Sequence, residues 1–250
     1  MLGIGRVVSR LTRGRARYVF EIFAKIGGSV PRECNLCGYR GNFRAIGHPP
    51  RYDARCPACS SLERHRLTGL YFQRNPKHID EQTRVLHFAP EEALRTFFRA
   101  TTQRYQSADF AANRADLKLD IEQIDLADGS MDLIICSHVL EHVDDAKALA
   151  EMRRILSPNG TVVILVPIIE GWASTYENAA ATLESDRALH FGQSDHVRMC
   201  GSDFRKRVAN ADLHLSEFTA VEPDVLRYGL LRGEKVFFAT KAAQLAPAEG

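Results

Sequence analysis

The chain has 250 residues, 45% hydrophobic and 26% charged, which is ordinary for a globular protein and allows one sizeable domain plus a small module. No apolar run approaches the roughly 20 residues of a membrane span, so a transmembrane helix is not expected. The net charge of +2 hides a polarity: residues 1–74 hold 14 Lys+Arg against 4 Asp+Glu, a net of +10, and the remainder is net −8. A basic head on an acidic body points to an anionic partner for the head, with docking on its own body as the alternative.

Residues 5–26 read as a basic, partly amphipathic helix with Val7, Val8, Leu11, Val19, Ile22, Phe23 and Ile26 as its apolar positions, weakened at Gly14. A packing arm, a helix lying on a membrane surface and an Arg-rich transit peptide all fit this stretch. It lacks an apolar core followed by a small-residue cleavage site, so no secretory signal is expected and a reducing cytoplasm is the expected compartment. In that setting paired cysteines mean metal more often than disulfide.

Residues 31–75 are expected to form a zinc ribbon-like module and a helix. Cys34-x-x-Cys37 and Cys56-x-x-Cys59 are separated by 18 residues, the spacing of a structural tetrathiolate zinc site. Gly38, Gly41 and Pro57 supply turn chemistry beside the pairs. Four sulfurs close the metal's shell, so His48 and His65 are not needed and the zinc is not expected to be catalytic. Arg40, Arg44, Arg51, Arg55, Arg64 and Arg66 surround the pairs. With Tyr39, Phe43 and Tyr52 they form a weak signal for RNA contact. Ser60 and Glu63 form a capping-box pattern opening a helix to about Gln73, which Asn75-Pro76 ends.

From residue 84 strands and helices alternate. Arg84–Phe88 reads as a buried strand. Pro90 opens a helix with Ala93, Leu94, Phe97 and Phe98 inward. Tyr105–Ala108 and Met131–Ser137 are further strands. Asp144 or Asp145 caps a helix to Leu156, and Ser157-Pro158-Asn159-Gly160 predicts a turn before a strand over Thr161–Pro167. Residues 168–201 show no period. A helix near Ser202–Asn210 precedes strands near Leu213–Val221 and Lys235–Thr240, with no helix between them. This predicts an α/β fold with a doubly wound, mostly parallel sheet ending in an antiparallel pair. The expected organisation is an arm over 1–30, the module over 31–75, the α/β domain over 80–240 and a disordered tail over 241–250.

The stretch Asp120-Ile121-Glu122-Gln123-Ile124-Asp125-Leu126-Ala127-Asp128-Gly129-Ser130-Met131-Asp132 runs on into Cys136-Ser137-His138-Val139-Leu140-Glu141-His142-Val143. It is followed by Arg153-Arg154-Ile155-Leu156-Ser157-Pro158-Asn159-Gly160. Over about residues 84–167 this resembles the class I S-adenosylmethionine-dependent methyltransferases of the common type 11 form. The resemblance implies a seven-stranded sheet with S-adenosylmethionine lying across the strand ends. It implies that Asp109 meets the ribose hydroxyls, Asp120 the adenine amino group and Ile121 the adenine ring, and that Ser137 and His138 line the methyl-donor side. The first loop departs from the family's glycine-rich form. It is His87-Phe88-Ala89-Pro90-Glu91, where Ala89 replaces glycine and Glu91 is expected to meet the cofactor's ammonium group. The loop is similar to a subgroup with an L-H-x-A-P-E loop and a downstream F-G-Q-x-D-H-V-R segment, here Phe191–Arg198.

His138-Val139-Leu140-Glu141-His142 also matches the H-x-x-E-H metalloprotease pattern, which requires a helix and a further carboxylate ligand; here it straddles the end of a buried strand and the following turn, so that reading is set aside. For an oxygen or nitrogen acceptor, His196 is the first candidate base, with Asp195 beside it and His138 second. Arg198 is expected to hold an anionic substrate group. Trp172, Tyr176 and His190 are expected as substrate walls in the 168–201 insert. The expected function is methyl transfer to an oxygen or nitrogen of a small molecule, for instance a sugar or glycan precursor. The alternatives are an RNA methyltransferase whose zinc module holds RNA, and a non-catalytic zinc-bearing interaction protein. Expected cofactors are S-adenosylmethionine and structural zinc. Membrane-surface contact through the basic N-terminal helix is a further expectation for a cytoplasmic protein.

Overall fold

The computed structural model describes residues 16, 18–20, 22–23, 25–47, 50–111 and 113–241. The chain divides into two compact units, Met1–Leu70 with Ala220–Glu234, and Tyr71–Thr219 with Lys235–Gly250. The expected helix over 5–26 and the tail over 241–250 lie largely outside the described residues, as does His48. The described residues between 16 and 26 are helical apart from the gaps, and Tyr18, Phe20 and Phe23 are exposed. No helix among the described residues is long and apolar enough to cross a membrane.

The smaller unit contains two antiparallel hairpins, β1 (Pro31–Glu33) with β2 (Arg40–Asn42) and β3 (Arg44–Ile46) with β4 (Arg51–Arg55). Helix α1 (Glu63–Arg74) begins in it. The capping box expected from Ser60 and Glu63 does not form. Ser60 sits in a left-handed turn at φ +61, and the Glu63 carboxylate accepts from Arg51 Nε at 3.0 Å. His65 takes over: its Nδ1 accepts from the Leu62 backbone N–H at 3.2 Å and so satisfies one of the helix's orphan donors. A short helix over Asp224–Tyr228 also belongs to this unit, although no helix was expected between the last two strands.

The larger unit is built on a seven-stranded sheet. Its elements in order are β5 (Val85–Phe88), α2 (Glu92–Thr101), β6 (Tyr105–Asp109), β7 (Leu117–Lys118), β8 (Met131–Ser137), α3 (Asp145–Ile155) and β9 (Leu156–Leu165). Then come β10 (Ile168–Ile169), β11 (Tyr176–Glu177), α4 (Glu184–Phe191), β12 (Arg198–Gly201), α5 (Phe204–Ala209), β13 (His214–Phe218) and β14 (Val236–Thr240). The sheet order is β13-β14-β9-β8-β5-β6-β7. β14 pairs antiparallel with both neighbours, and the other pairings are parallel. Strands covered on both faces are buried without alternation, as β5 and the apolar run Leu133–Cys136 show. Helix α3 is capped by Asp144, whose carboxylate accepts from the Lys147 N–H at 3.2 Å.

Two expectations are corrected. Ser157–Gly160 does not separate α3 from the next strand. β9 begins at Leu156, and its register with β8 jumps from Met131↔Leu156 to Leu133↔Thr161, so the turn residues form a bulge inside the strand. A Cβ on Gly160 would lie 2.9 Å from the Asp132 carbonyl oxygen, which only glycine avoids. The 168–201 segment is not irregular: it holds α4 and a three-stranded sheet of order β10-β12-β11.

The chain runs outward from β5 through β6 to β7, then returns to the other side of β5 as β8. The carboxyl ends of β5 and β8 therefore flank a crevice where the strand order reverses, the place where such sheets bind ligands.

Candidate functional site

The four cysteines of the smaller unit converge. Cys34 and Cys59 sulfurs lie 3.6 Å apart, Cys37 and Cys56 sulfurs 3.7 Å apart, and all four fall within 4.8 Å of one another. A tetrahedral ion with metal–sulfur bonds of about 2.3 Å sets its sulfurs roughly 3.8 Å apart. Each pair is a turn of the same construction. The Gly38 N–H donates to the Cys34 carbonyl and the Cys34 N–H to the Tyr39 carbonyl; the Ser60 N–H donates to the Cys56 carbonyl and the Cys56 N–H to the Ser61 carbonyl. Gly38 and Ser60 occupy equivalent left-handed positions at φ +76 and +61. Hydrogen bonding to Cys59 and burial push the Cys34 thiol up to about 12.

A cation accompanies these sulfurs. Arg66 is fully buried and donates to four carbonyl oxygens: Tyr228 at 2.6 Å, Ser61 and Gly229 at 2.7 Å, and Ala54 at 2.9 Å. Its guanidinium lies 4.6 Å from the Phe43 ring centre. Among the described residues, none of its hydrogen bonds goes to a carboxylate. Ser61 Oγ lies 3.3 Å from Arg66 Nη1 and 3.2 Å from Cys34 Sγ, and so links the guanidinium to the sulfur cluster. A zinc ion with four thiolates carries a net charge of −2, which Arg66 would offset. Sequence reasoning placed Arg66 among phosphate-facing arginines; burial removes it from that set. Arg51 and Arg40 are paired with Glu63 and Glu33.

In the larger unit the crevice at the strand ends opens into a cavity of about 600 Å³, within the usual range for small-molecule sites. Six of the residues expected to hold a cofactor line it: Phe88, Ala89, Asp109, Asp120, Ile121 and His138. Asp109 ends β6, and its Oδ1 accepts from the Ala111 N–H at 2.8 Å. Asp120 Oδ1 accepts from the Glu122 N–H at 2.9 Å. Each carboxylate is held by its own turn. Ala89 follows β5 at φ +45, so an alanine adopts a backbone conformation that glycine takes more readily.

His87, Glu91 and Ser137 do not line the cavity. They form a chain behind it. Tyr105 Oη and His87 Nδ1 lie 3.0 Å apart, His87 Nε2 and Glu91 Oε2 3.4 Å, and Ser137 Oγ donates to Glu91 Oε1 at 2.8 Å. The chain ties the carboxyl ends of β5 and β8 to each other and to the start of β6. Glu91, expected to meet a ligand's cation, is occupied in this brace.

The two motifs read separately in the sequence are one structure here. The Val197 N–H donates to the Glu141 carbonyl at 2.9 Å, which lays Asp195–Arg198 along the His138–Val143 turn. Arg198 is buried and donates to the Leu140 and Val143 carbonyl oxygens and to Glu177 Oε1 at 2.7 Å. Its donors are directed to that turn and to Glu177, and Arg198, expected to hold a substrate anion, does not line the cavity. His138, at φ +54, has its Nδ1 3.0 Å from Glu141 Oε1. His142 Nδ1 lies 3.2 Å from the Asp195 carbonyl oxygen and 3.4 Å from its carboxylate. His196 is buried behind the cavity wall, its ring edge-on to His142 at 4.7 Å. Burial holds its pKa below the ordinary histidine value. Asp195 lines the cavity and His196 does not.

Trp172, Tyr176 and His190 meet one another rather than the cavity. Tyr176 Oη and His190 Nδ1 lie 2.7 Å apart, and the Trp172 and Tyr176 rings meet edge-on at 6.5 Å. The residues missed by sequence reasoning are Phe110, Leu119, Glu122, Val139, His142 and Val143. Their signal was position alone, immediately beside residues already singled out.

The architecture is the class I methyltransferase fold, with its cavity at the strand ends. Residues 84–164 match the family model of a methyltransferase domain. The YcgJ protein of Bacillus subtilis superposes with a TM-score of 0.51 at 13% identity, covering 72% of this chain and all of that one. An S-adenosylmethionine-dependent methyltransferase from Mesorhizobium loti superposes with a TM-score of 0.45 at 14% identity, over 69% of this chain and 96% of that one. An uncharacterized protein of Methanocaldococcus jannaschii is 43% identical over 47 residues, 19% of this chain and only 21% of that relative's length. The family match and the fold together support a methyltransferase.

Proposed function

We propose that the chain transfers a methyl group from S-adenosylmethionine to an oxygen or nitrogen of a small molecule. The observation that carries this is the strand-end cavity, whose wall brings together Asp109, Asp120 and Ile121 inside the segment that matches a methyltransferase domain. The donor set fits the cofactor. Each aspartate has one oxygen fixed by a backbone N–H and the other left for a ligand's hydroxyl or amino group, and Ile121 and Phe88 supply apolar walls. The left-handed Ala89 turns the chain so that its backbone meets the cavity. When bound, S-adenosylmethionine supplies an electrophilic methyl group on a sulfonium centre.

The protein's part is to orient the acceptor and receive its proton. His138 is placed for this. Its Nδ1 is held by the buried Glu141, which leaves Nε2 as the nitrogen free to accept, and the ring lines the cavity. Asp195 completes the polar rim. His196, first among the sequence candidates, stands behind His142 and reaches the cavity only through it. A sugar or glycan precursor remains the proposed acceptor class. The four-cysteine cluster is proposed to hold one structural zinc ion. The internal use of Arg66, Arg51 and Arg40 leaves less charge for RNA and favours the small-molecule reading.

Titration calorimetry with S-adenosylmethionine tests the proposal. Intact protein should bind, and Asp109→Ala should weaken binding by about 1.5–3 kcal/mol, the range for a hydrogen bond to a charged group. Absence of binding to intact protein rejects the enzyme reading. Unchanged affinity in the variant rejects only the assignment of Asp109.

A further inference from the structure

One cluster of the larger unit holds polar atoms that methyl transfer as described leaves unused. Glu141, His142 and His196 each present a ligand atom, and these atoms lie within 4.8 Å of one another. Glu141 is completely buried and His196 is 4% exposed. Two of their polar atoms, Glu141 Oε2 and His196 Nδ1, are buried without a hydrogen-bond partner. A buried carboxylate oxygen left without a donor is costly, and so is a buried ring nitrogen left without a partner. The two sit in one cluster yet do not bond to each other. A cation between them satisfies both.

We propose that Glu141, His142 and His196 bind one divalent transition-metal ion at the acceptor end of the cavity. Two imidazoles and one carboxylate suit Mn²⁺, Fe²⁺, Co²⁺ or Zn²⁺ and do not suit Ca²⁺ or Mg²⁺. The surroundings prepare the ligands. Glu141 Oε1 is occupied by His138 Nδ1, which leaves Oε2 as the ligating atom. His142 Nδ1 faces the carbonyl and carboxylate of Asp195, which places the proton there and the lone pair on Nε2. Such an outer partner is the usual way a ligating histidine is fixed. Metal bonds of about 2.0–2.2 Å set ligands roughly 3–4 Å apart. Closing the cluster onto an ion therefore takes a modest rotation of His142, the partly exposed member.

Three protein ligands leave open positions, and His142 is on the cavity wall, so those positions face the cavity. On the methyltransferase reading above, the ion selects an acceptor with oxygen ligands, such as neighbouring hydroxyls or a hydroxy acid. It also draws the acceptor hydroxyl toward ionisation, and the proton leaves to His138 or to solvent. This site differs in kind from the four cysteines, whose closed sulfur shell has no open position.

The probe is Co²⁺ alone, added to full-length protein whose cysteines already hold zinc. One equivalent should bind and give visible d–d absorption without a thiolate-to-cobalt charge-transfer band. His196→Ala and His142→Ala should each weaken binding at least tenfold. If His196→Ala fails to fold, as judged by circular dichroism, the more exposed His142→Ala decides. Absence of d–d bands, bands with thiolate charge transfer only, or undiminished binding in the folded variants overturns the proposal. Calorimetry with S-adenosylmethionine on the same cobalt-free protein separates the readings. Cofactor binding without cobalt binding removes the metal and leaves the methyltransferase; cobalt binding without cofactor binding does the reverse.

Discussion

Replacing Arg66 by methionine keeps most of the side chain's volume and removes its charge and all five hydrogen bonds. Four carbonyl oxygens, of Ala54, Ser61, Tyr228 and Gly229, then lose a charged donor. Each such bond is worth about 1.5–3 kcal/mol in isolation, so the simple sum is roughly 6–12 kcal/mol. Water entry and chain relaxation return part of this. Each carbonyl left buried without a donor costs about 1–3 kcal/mol, and with that relief counted a loss of about 3–5 kcal/mol is expected. It is a large share of the roughly 5–15 kcal/mol that holds a domain together. On the proposed zinc reading, the variant should also surrender the metal faster to a colorimetric chelator, since the thiolate cluster loses its balancing cation. Arg66→Lys separates the two effects: it keeps the charge and forfeits the fork, so zinc retention should recover more than urea stability does. The assays are urea unfolding followed by circular dichroism, and chelator-driven zinc release. An Arg66→Met protein that loses less than about 1 kcal/mol and holds zinc as long as the parent would refute the argument.

Two further outcomes follow from the backbone and from one ion pair. Ala89→Gly removes a left-handed alanine, a strain of about 1–2 kcal/mol, and adds about 0.5–1 kcal/mol of backbone entropy cost. Thermal melts should show a gain between zero and about 1.5 kcal/mol, with S-adenosylmethionine affinity within about threefold in calorimetry; a tenfold loss would mean that the methyl group itself contacts the ligand. Arg84 holds Asp132 through bonds of 2.7 and 2.8 Å and lowers its carboxyl to about 2. Because the folded value lies below the unfolded one of about 3.9, the pair stabilises the fold above about pH 4 and stops doing so as the pH falls through about 2. Both side chains are about a third exposed, so Arg84→Gln should cost under about 1 kcal/mol at pH 7. The gap to the parent in urea should shrink between pH 4 and 3, and a gap that widens instead would reverse the assignment.

The parallel sheet was legible because its strands are buried on both faces and therefore apolar without interruption, as β8 is from Leu133 to Cys136. The cysteine cluster was legible because its ligands come in two local turns of fixed spacing. What escaped depends on contacts between distant residues. β10 and β11 have two residues each, too short to carry a period, and exist through pairing with β12. Arg66 read as one more surface arginine, although it stands four residues before Leu70 on the same helical face, which was the available signal. Trp172, Tyr176 and His190 looked like substrate walls because they are aromatic and lie in an insert, yet they satisfy one another. Glu141 and His142 were set aside with the protease pattern on sound grounds, since they do not lie on a helix. Their partner His196 comes 54 residues after His142, and tertiary contacts bring it there: the Val197 N–H to the Glu141 carbonyl, Arg198 to the Leu140 and Val143 carbonyls, and His142 to Asp195.

The inclusion of residues 220–234 in the smaller unit bears on how that unit is made. Arg66 donates to Tyr228 and Gly229, Arg32 to the Leu226 carbonyl, and Arg227 to Glu33, across 162 to 194 positions of the chain. At a synthesis rate of about 5–20 residues per second, the first half of these contacts waits on the order of 10–40 s for the second. Both cysteine pairs, by contrast, are complete once residue 59 has emerged. On the proposed zinc reading, metal capture is thus a closure open to the nascent module while the intervening residues are still being translated, beside contacts such as Asn35 to the Arg66 carbonyl and Ser29 to Asp53. The ion would serve as a temporary clasp, holding the two hairpins in place until the late segment arrives to accept Arg66.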